Sequence, residues 1–590
     1  MITKAYLYNK VKTVGACLMM PLLLASCVDT IILPDNLTVD EDFWKSKDDV
    51  AQMVNGAYKS MLTDNVMSRL IVWGGLRGDE FIPVASVTGA LVEDLTEINL
   101  ANTQDDNQFA EWGSFYAVIN NCNIVLDRAE AVMAEDPSYT QGDYLADRSQ
   151  MLALRALCYF YLVRNFRDVP YIDGSYMNSS KERYVAQSNP DSVLACCITD
   201  LQEAERNALS ATTFGASDWK RVGYFTRDGI QALLADIYLW RGSVEHSVAD
   251  YQACVDYCTR VIESKRSQHV QDRNEVVAKE YPLADGQRMF VEIFVSQNAE
   301  ESIFELQMDG TNNGAKAICQ YFNALSASDS RHYLYAPTIF TYGGDVFKSS
   351  STVDWRGAEY TFYNNEVNVG EDAALEIRKF VSIDPLPLST VTTEPAGKAR
   401  AYADNYRQNY VVYRLADVML MKAEALVALA AGDDTDTESL RQAFALVNAV
   451  NKRAKTADAI AANDTLKWNT YGSSAATMED LVLAERLREL TFEGKRWYDL
   501  LRFNFRHVDG IDYKTTLYEQ SLRSGWTPVG NYKPMLDLMK RKLSTKGDAV
   551  AAKINTEAKL YMPVPLSDLN VSPTLHQNPG YNTMETIKKN

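Results

Sequence analysis

The residues of this chain that could do acid–base chemistry are concentrated in one stretch, Glu485-Arg486-Leu-Arg488-Glu489-Leu-Thr-Phe-Glu493-Gly494-Lys495-Arg496-Trp497-Tyr-Asp499-Leu-Leu-Arg502. On one helix, Glu485, Glu489, Glu493 and Arg496 descend a single face at i+4 or i+3 spacing, and Asp499 and Arg502 continue it. A proton-transfer pair would need one of these carboxylates to be raised in pKa. Paired arginines do the opposite and keep carboxylates ionised. The spacing therefore predicts an ion-pair ladder that clamps this helix to its neighbours, started by a Thr477-x-x-Asp480 capping box. Gly494 inside such a helix costs about 1 kcal/mol and marks close packing or a bend.

Other candidate chemistry is weaker. Asp434-Thr-Asp436-Thr-Glu438 resembles a calcium loop but lacks the central Gly, and Ala445 stands where the bidentate Glu belongs. Gly74-Gly75-Leu-Arg-Gly78 has the wrong spacing for a dinucleotide loop and no strand before it. Cys254 and Cys258 lie one helical turn apart without the His or Cys pair that would complete a tetrahedral metal site. The histidines at 246, 269, 332, 507 and 576 are scattered, and no Gly-x-Ser-x-Gly, Walker A or His-Glu-x-x-His pattern occurs. No catalytic residue, metal site or cofactor is assigned from the sequence. A glycosidase carboxylate pair, ~5–10 Å apart, stays open among 78 acidic residues.

The elements that must position these residues are mostly helical. Met151–Val163 interleaves small and large apolar residues at the helical period. Asn189-Pro190-Asp191 opens the next helix with a cap, a first-turn proline and an acid at the positive dipole end. Gly229–Trp240 follows and stops at Arg241-Gly242. Tyr251–Ser264 is its antiparallel partner, and Tyr413–Ala431 pairs with Leu440–Ala454. Alanine-rich faces at 153/156, 232/235 and 416/423/425 allow close helix approach, as in tetratricopeptide-type pairing with irregular spacing. Between about 266 and 410 the rhythm breaks into a loop-rich insertion with short strands such as Ser302–Leu306. Residues 321–363 hold eleven aromatics in 43, against 11% in the whole chain. Polar, aromatic-rich loops make either a binding surface or a second core under long loops.

The 590 residues carry a net charge of −19, which disfavours nucleic acid as a partner. Lys4, Lys10 and Lys12 precede a short apolar run, Val14–Ala25, the layout of an export signal. It ends in Leu24-Ala25-Ser26-Cys27, which resembles a bacterial lipobox, so Cys27 becomes the lipid attachment point. The expected organisation is a signal peptide over 1–26, a lipidated tether over 27–40 and one domain over 41–590. That domain splits into helical scaffold (about 41–265 and 411–505), ligand region (266–410) and C-terminal segment (506–590). Cleavage takes the net charge from −19 to −22. Seven cysteines remain, an odd number that favours buried thiols over a disulfide framework.

Five stretches in order resemble the SusD/RagB family of outer-membrane nutrient-binding lipoproteins. They are Asp42-Phe-Trp44 with Asn55-Gly-Ala-Tyr58, then Trp112-x-x-x-Tyr116-x-x-Ile119 with Asn123, then Arg155 and Tyr159 through Asp168-Val-Pro170. Tyr413-Arg-Leu-Ala-Asp417 with Glu424 comes next, and Pro563-Val-Pro565 through Gln577-Asn-Pro-Gly-Tyr581 closes the set. The 485–502 cluster looks like the same family's C-terminal signature. Arg167 departs from the pattern, which commonly has Gly before Asp-Val-Pro. If that turn needs a positive φ, Arg costs about 1–2 kcal/mol there.

The resemblance implies a tetratricopeptide-like scaffold, lipid anchoring on the outer membrane of a Gram-negative bacterium, and pairing with a SusC-like TonB-dependent transporter that imports captured glycan. Sugars stack their C–H faces on aromatic rings and satisfy their hydroxyls with polar side chains. The candidate platform is Trp73, Tyr321, Tyr333, Tyr335, Tyr342 and Trp355, with Arg77, Asp79 and Asn107 as hydroxyl partners. None of these positions carries over by motif. A peptide-binding relative of RagB type would use the same scaffold, and a surface glycoside hydrolase is the third class.

Overall fold

The first long helix starts where Ser46 and Asp49 cap each other reciprocally: the Ser46 hydroxyl accepts from the Asp49 amide, and the Asp49 carboxylate accepts from the Ser46 amide at 2.8 Å. The computed structural model describes residues 43–85, 88–176, 184–275, 279–309, 316–322, 333–341, 344–347, 354–359, 361–369, 372–380, 408–432 and 436–581. The expected export signal, Cys27 and Tyr342 lie outside these residues.

Ten long helices carry the architecture: α1 (Lys47–Ser60), α2 (Gly113–Glu135), α3 (Gln141–Phe166), α4 (Pro190–Asn207), α5 (Arg227–Glu245), α6 (Val248–Arg273), α7 (Leu415–Ala431), α8 (Thr437–Arg453), α9 (Ala475–Leu490) and α10 (Arg496–Arg506). Each of α1 to α8 packs on the next, and α9 lies across α7 and α8. The fold is the mostly helical, paired-helix scaffold expected from the sequence. Its middle members are apolar nearly all round: Gln150–Phe166 of α3 and Asp228–Trp240 of α5 are buried without a break. Asn189 caps α4 as expected, accepting from the Ser192 amide at 2.9 Å.

Several boundaries differ from the sequence reading, each for a local reason. α5 runs past Gly242 to Glu245 and ends at left-handed His246, φ 53°. Gly242 serves packing instead, because a Cβ there would lie 3.0 Å from the Tyr251 ring. Residues 410–414 form a strand, not the first turn of α7, and Ser474, not Thr477, caps α9. The 485–502 stretch is two helices. The chain breaks between α9 and α10 at Gly494, φ 68°, whose missing side chain lets it lie against the Leu70 carbonyl and the backbone of Gly74. Gly74 belongs to a π-helical turn, Val72–Leu76, so this glycine of the nucleotide-loop mimic serves the backbone-on-backbone contact, while its neighbour Gly75 makes room for the Phe81 ring.

Most of the strands involve the insertion. β1 (Ile82–Pro83), β5 (Leu334–Pro337), β7 (Asp372–Ile377) and β6 (Thr361–Val369) form an antiparallel sheet in the order β1-β5-β7-β6. β2 (Val169–Pro170) pairs with β3 (Gln187–Ser188). β4 (Ser302–Leu306), located by sequence, pairs antiparallel with β8 (Tyr410–Arg414), and all ten residues are buried.

The charged cluster ties these parts together from inside. Arg414, fully buried at the end of β8, donates to Glu301 (2.8 Å), Glu489 (2.6 Å) and Glu493 (2.8 and 2.9 Å), and to the Glu489 carbonyl (2.7 Å). Arg356 of the insertion donates to Asp354, Glu485 (2.7 Å) and Glu489 (2.9 Å). Lys379 holds Glu493 at 2.7 Å. On the other side Arg502 grips Glu424 of α7 twice at 2.8 Å, and Arg496 and Arg541 share Asp79. Burial alone would raise the Glu489 carboxyl, but Arg453, Arg414 and Arg356 outweigh it and hold it well below the usual carboxylate range. Arg502 and Arg506 do the same for Glu424.

Arg167 sits at φ 67°, ψ −75°, the centre of a strained γ-turn closed by the Asp168 amide on the Phe166 carbonyl at 2.9 Å. The departure from glycine is thus real, and the strain is offset by a buried guanidinium bound to Glu557 (2.8 Å), Asp168 (2.7 Å) and two backbone carbonyls. Among the described residues the seven cysteines form no disulfide and six of them are buried, and no helix is long and apolar enough to cross a membrane.

Removing one partner from this network leaves buried charge uncompensated, which costs roughly 3–5 kcal/mol. Arg414→Ala should lose that much in urea denaturation. Glu489 and Glu424 titrate lower folded than unfolded, so their stabilisation is complete above about pH 4.5 and is lost as pH falls through and below that value. Wild-type denaturation midpoints should accordingly fall between about pH 5 and pH 3.

Candidate functional site

Where α8 ends, three segments converge on a cleft of about 680 Å³. The first is residues 279–287, the second Trp355, and the third the end of α8 and its following turn, from Ala449 to Ile460. The chain is pinned here by its backbone. The Trp355 amide donates to the Ala454 carbonyl at 2.9 Å, and Asp354 bridges to Lys455 in antiparallel fashion. Side chains add to this. Arg453 reaches the Ala284 carbonyl (3.3 Å) and Glu301 (3.0 Å), and Glu301 accepts from the Ala284 amide (3.0 Å). Arg356, the next residue after Trp355, is the node of the ion-pair network described above. The walls are therefore set by buried charge pairs before any ligand arrives, the condition for binding without reorganisation.

Gly286 makes the approach possible. A Cβ there would overlap the Arg453 carbonyl and lie 3.2 Å from the Trp355 ring. Trp355, 8% exposed, and half-buried Tyr281 both line the cleft. Ile460 is 41% exposed at the rim. Lys279, Lys452, Asp285 and Gln287 are exposed around the opening. An aromatic and aliphatic floor under a ring of hydrogen-bonding groups of both signs can hold a sugar face and its hydroxyls.

Of the nine candidate residues named from sequence, Trp355 lines this cleft; of the others, those within the described residues lie elsewhere. Trp73 is a core residue, stacked on Phe115 at 4.9 Å with its indole N–H donating to the Phe109 carbonyl at 2.8 Å. Arg77 is buried over the Trp497 ring at 4.5 Å and donates to the Leu560 and Lys559 carbonyls. Asp79 is enclosed by Arg496 and Arg541. Asn107 caps a short turn, accepting from the Phe109 amide at 3.0 Å. Tyr321 and Tyr333 are buried, and Tyr335 is half-buried against Ile82. These side chains are spent on the interior, so the aromatic richness of 321–363 reflects packing under the insertion for most of its described members. Sequence reasoning missed Tyr281, Gly286, Lys452 and Ile460, which lie in two segments brought together by Arg453. Their signal was an aromatic and a glycine in the polar run Lys279–Gln287.

The 485–502 carboxylates line neither the Trp355 cleft nor any solvent-exposed face among the described residues. Glu485, Glu489, Glu493 and Asp499 are each at most 3% exposed and enclosed by arginine or lysine. Glu80 is the contrasting case: burial pushes its carboxyl up to about 8, and it accepts from the Phe492 amide at 2.9 Å. It too is buried, away from solvent.

A helical scaffold of stacked pairs, interrupted by a β-containing insertion and closed by a buried arginine–carboxylate signature, defines a class. The chain belongs to the SusD family, whose model matches residues 272–581. A second model, described as starch-binding associating with outer membrane, matches residues 33–239. Among relatives, SusD-like protein P38 of Formosa agariphila is 22% identical over 514 residues, covering 82% of this chain and 89% of the relative. SusD-like protein P2 of the same organism is 25% identical over 497 residues, covering 82% and 88%. A SusD superfamily protein from Bacteroides thetaiotaomicron superposes with a TM-score of 0.63 at 20% identity, covering 90% of this chain and 99% of that one. A laminarin-binding SusD-like protein does so with 0.59 at 18% identity, covering 91% and 100%.

Gly286→Val should push the 279–287 wall off Arg453 and Trp355. The expected result is a loss of about 1–3 kcal/mol in denaturation and faster hydrogen exchange at the Trp355 amide, while the α3 amides stay protected.

Proposed function

We propose that this protein is a non-catalytic, cell-surface glycan receptor, anchored by lipid on Cys27, that captures oligo- or polysaccharide and passes it to a SusC-like TonB-dependent transporter. The observation that carries this reading is the preformed Trp355 cleft, placed in a chain of the SusD family at the junction of insertion and helical scaffold. The starch-binding description of the N-terminal match and the laminarin-binding structural neighbour support glycan as the cargo. Physically, a glycan segment lays a C–H face against Tyr281 and Trp355, while Lys452, Gln287 and Asp285 meet its hydroxyls. No acid–base pair is needed for capture. The arginines around Glu485, Glu489 and Glu493 keep these carboxylates ionised, which suits a scaffold and not proton transfer.

The test is calorimetry on the protein from Asp29 onward, titrated with starch, laminarin and mixed oligopeptides, with new reducing ends assayed in the same tubes. Heat with a glycan and no cleavage is expected. Tyr281→Ala, in the lining with Trp355, and Lys452→Ala, at the opening, should each weaken that binding by roughly tenfold, the scale of a contact worth more than 1 kcal/mol. Heat with peptides alone moves the protein to the peptide-binding branch, and cleavage of any glycan contradicts a receptor-only role.

A further inference from the structure

A second concavity, of about 340 Å³, opens between the C-terminal half of α1, residues 219–224 and the end of β4, and it shares no lining residue with the Trp355 cleft. Trp219 stands at its mouth 42% exposed, in a protein that buries Trp73, Trp240 and Trp497 completely. An indole left partly in water forfeits part of the stabilisation that burying a large apolar side chain provides. Its orientation is nonetheless fixed. A Cβ on Gly223 would lie 2.7 Å from the Trp219 ring, so the indole rests on bare backbone. The Tyr224 ring meets it edge-on at 5.3 Å and 78°, and Tyr58 stacks behind Tyr224 at 5.3 Å and 18°.

The polar groups of the slot are also set in advance. The Tyr224 hydroxyl donates to Asn55 Oδ1 at 2.8 Å. The Gln307 amide donates to Asn298 Oδ1 at 2.9 Å and accepts from Asn409 at 3.1 Å, which fixes the face it turns to the slot. Lys59 and Lys220 complete the polar lining beside Leu62 and Leu306, and none of the ten lining residues is acidic, although the chain carries 78 acidic side chains. Fixed neutral amides, amines and a rigid aromatic face match the alternating hydroxyl and C–H surfaces of a pyranose.

We infer that the Trp219 slot is a second saccharide subsite, which takes one pyranose unit of a glycan with its C–H face on Trp219 and its hydroxyls toward Asn55, Gln307 and Lys59. The inference rests on glycan being the cargo and adds a site apart from the Trp355 cleft. Two weak subsites on one polymer act together through effective concentration, raising affinity without any new contact.

The experiment labels the protein from Asp29 onward with 5-fluorotryptophan and assigns the Trp219 and Trp355 fluorine signals by Trp219→Phe and Trp355→Phe. Methyl glucoside, methyl galactoside, methyl mannoside, maltohexaose, laminarihexaose and trialanine are then titrated in turn. A saturable shift of the Trp219 signal with at least one glycoside or hexaose is expected. Trp219→Ala should then weaken binding of that hexaose about tenfold with an unchanged melting temperature. If the Trp355 signal moves and the Trp219 signal does not, the glycan reading stands and the second subsite is overturned. If neither moves, the subsite is again overturned, while the polymer calorimetry judges the cargo independently. A Trp219 shift with trialanine alone overturns glycan as the occupant.

Discussion

Charge placed inside a protein must be paired where it lies, and that constraint organises this molecule. Arg414, Arg356, Glu485, Glu489 and Glu301 are all fully buried. Each is acceptable there only because its partners come from other parts of the chain: β8, the insertion and α9. An unpaired carboxylate or guanidinium at that depth would carry a desolvation penalty of several kcal/mol. The scaffold, the insertion and the C-terminal helices therefore meet in one arrangement, and registers that separate these groups are disfavoured strongly.

The same network reaches the candidate site. Arg356 follows Trp355 in sequence, and Arg453 touches both Glu301 and the 279–287 wall. Cleft geometry is thus a consequence of core electrostatics. A cleft built this way needs little rearrangement to bind a ligand, which keeps the entropic cost of binding low. The slot at Trp219 is fixed locally by other means, the Trp219 ring over Gly223, the Tyr58–Tyr224 stack and a set of interlocked amides.

Much of the fold was legible in the sequence because it follows from local rules. The Asn189 cap, the central apolar helices and the limits of β4 are set by nearest neighbours along the chain. The role of the 485–502 charges was legible too, since Glu and Arg at helical spacing predict pairing. Its geometry was not: a one-helix reading could not foresee that Gly494 breaks the chain to meet Gly74, far away in sequence. Arg167 shows the same limit, for its strained turn is held by Glu557 and by carbonyls near 512–515. The exposure of the candidate platform residues was read least well. Trp73, Tyr321 and Tyr333 match the composition of a sugar platform, yet burial depends on what packs over them. Composition alone does not separate a ring facing solvent from one facing the core.

Hydrogen exchange through residues 279–301 and 354–356 tests most directly whether buried charge sets the cleft. If it does, the Ala284 and Trp355 amides are locked by the network and exchange only with global unfolding, at the rate of the α7 core. Rapid exchange at those two amides, while α7 stays protected, would contradict this: the cleft would then open locally and independently of the charges beneath it.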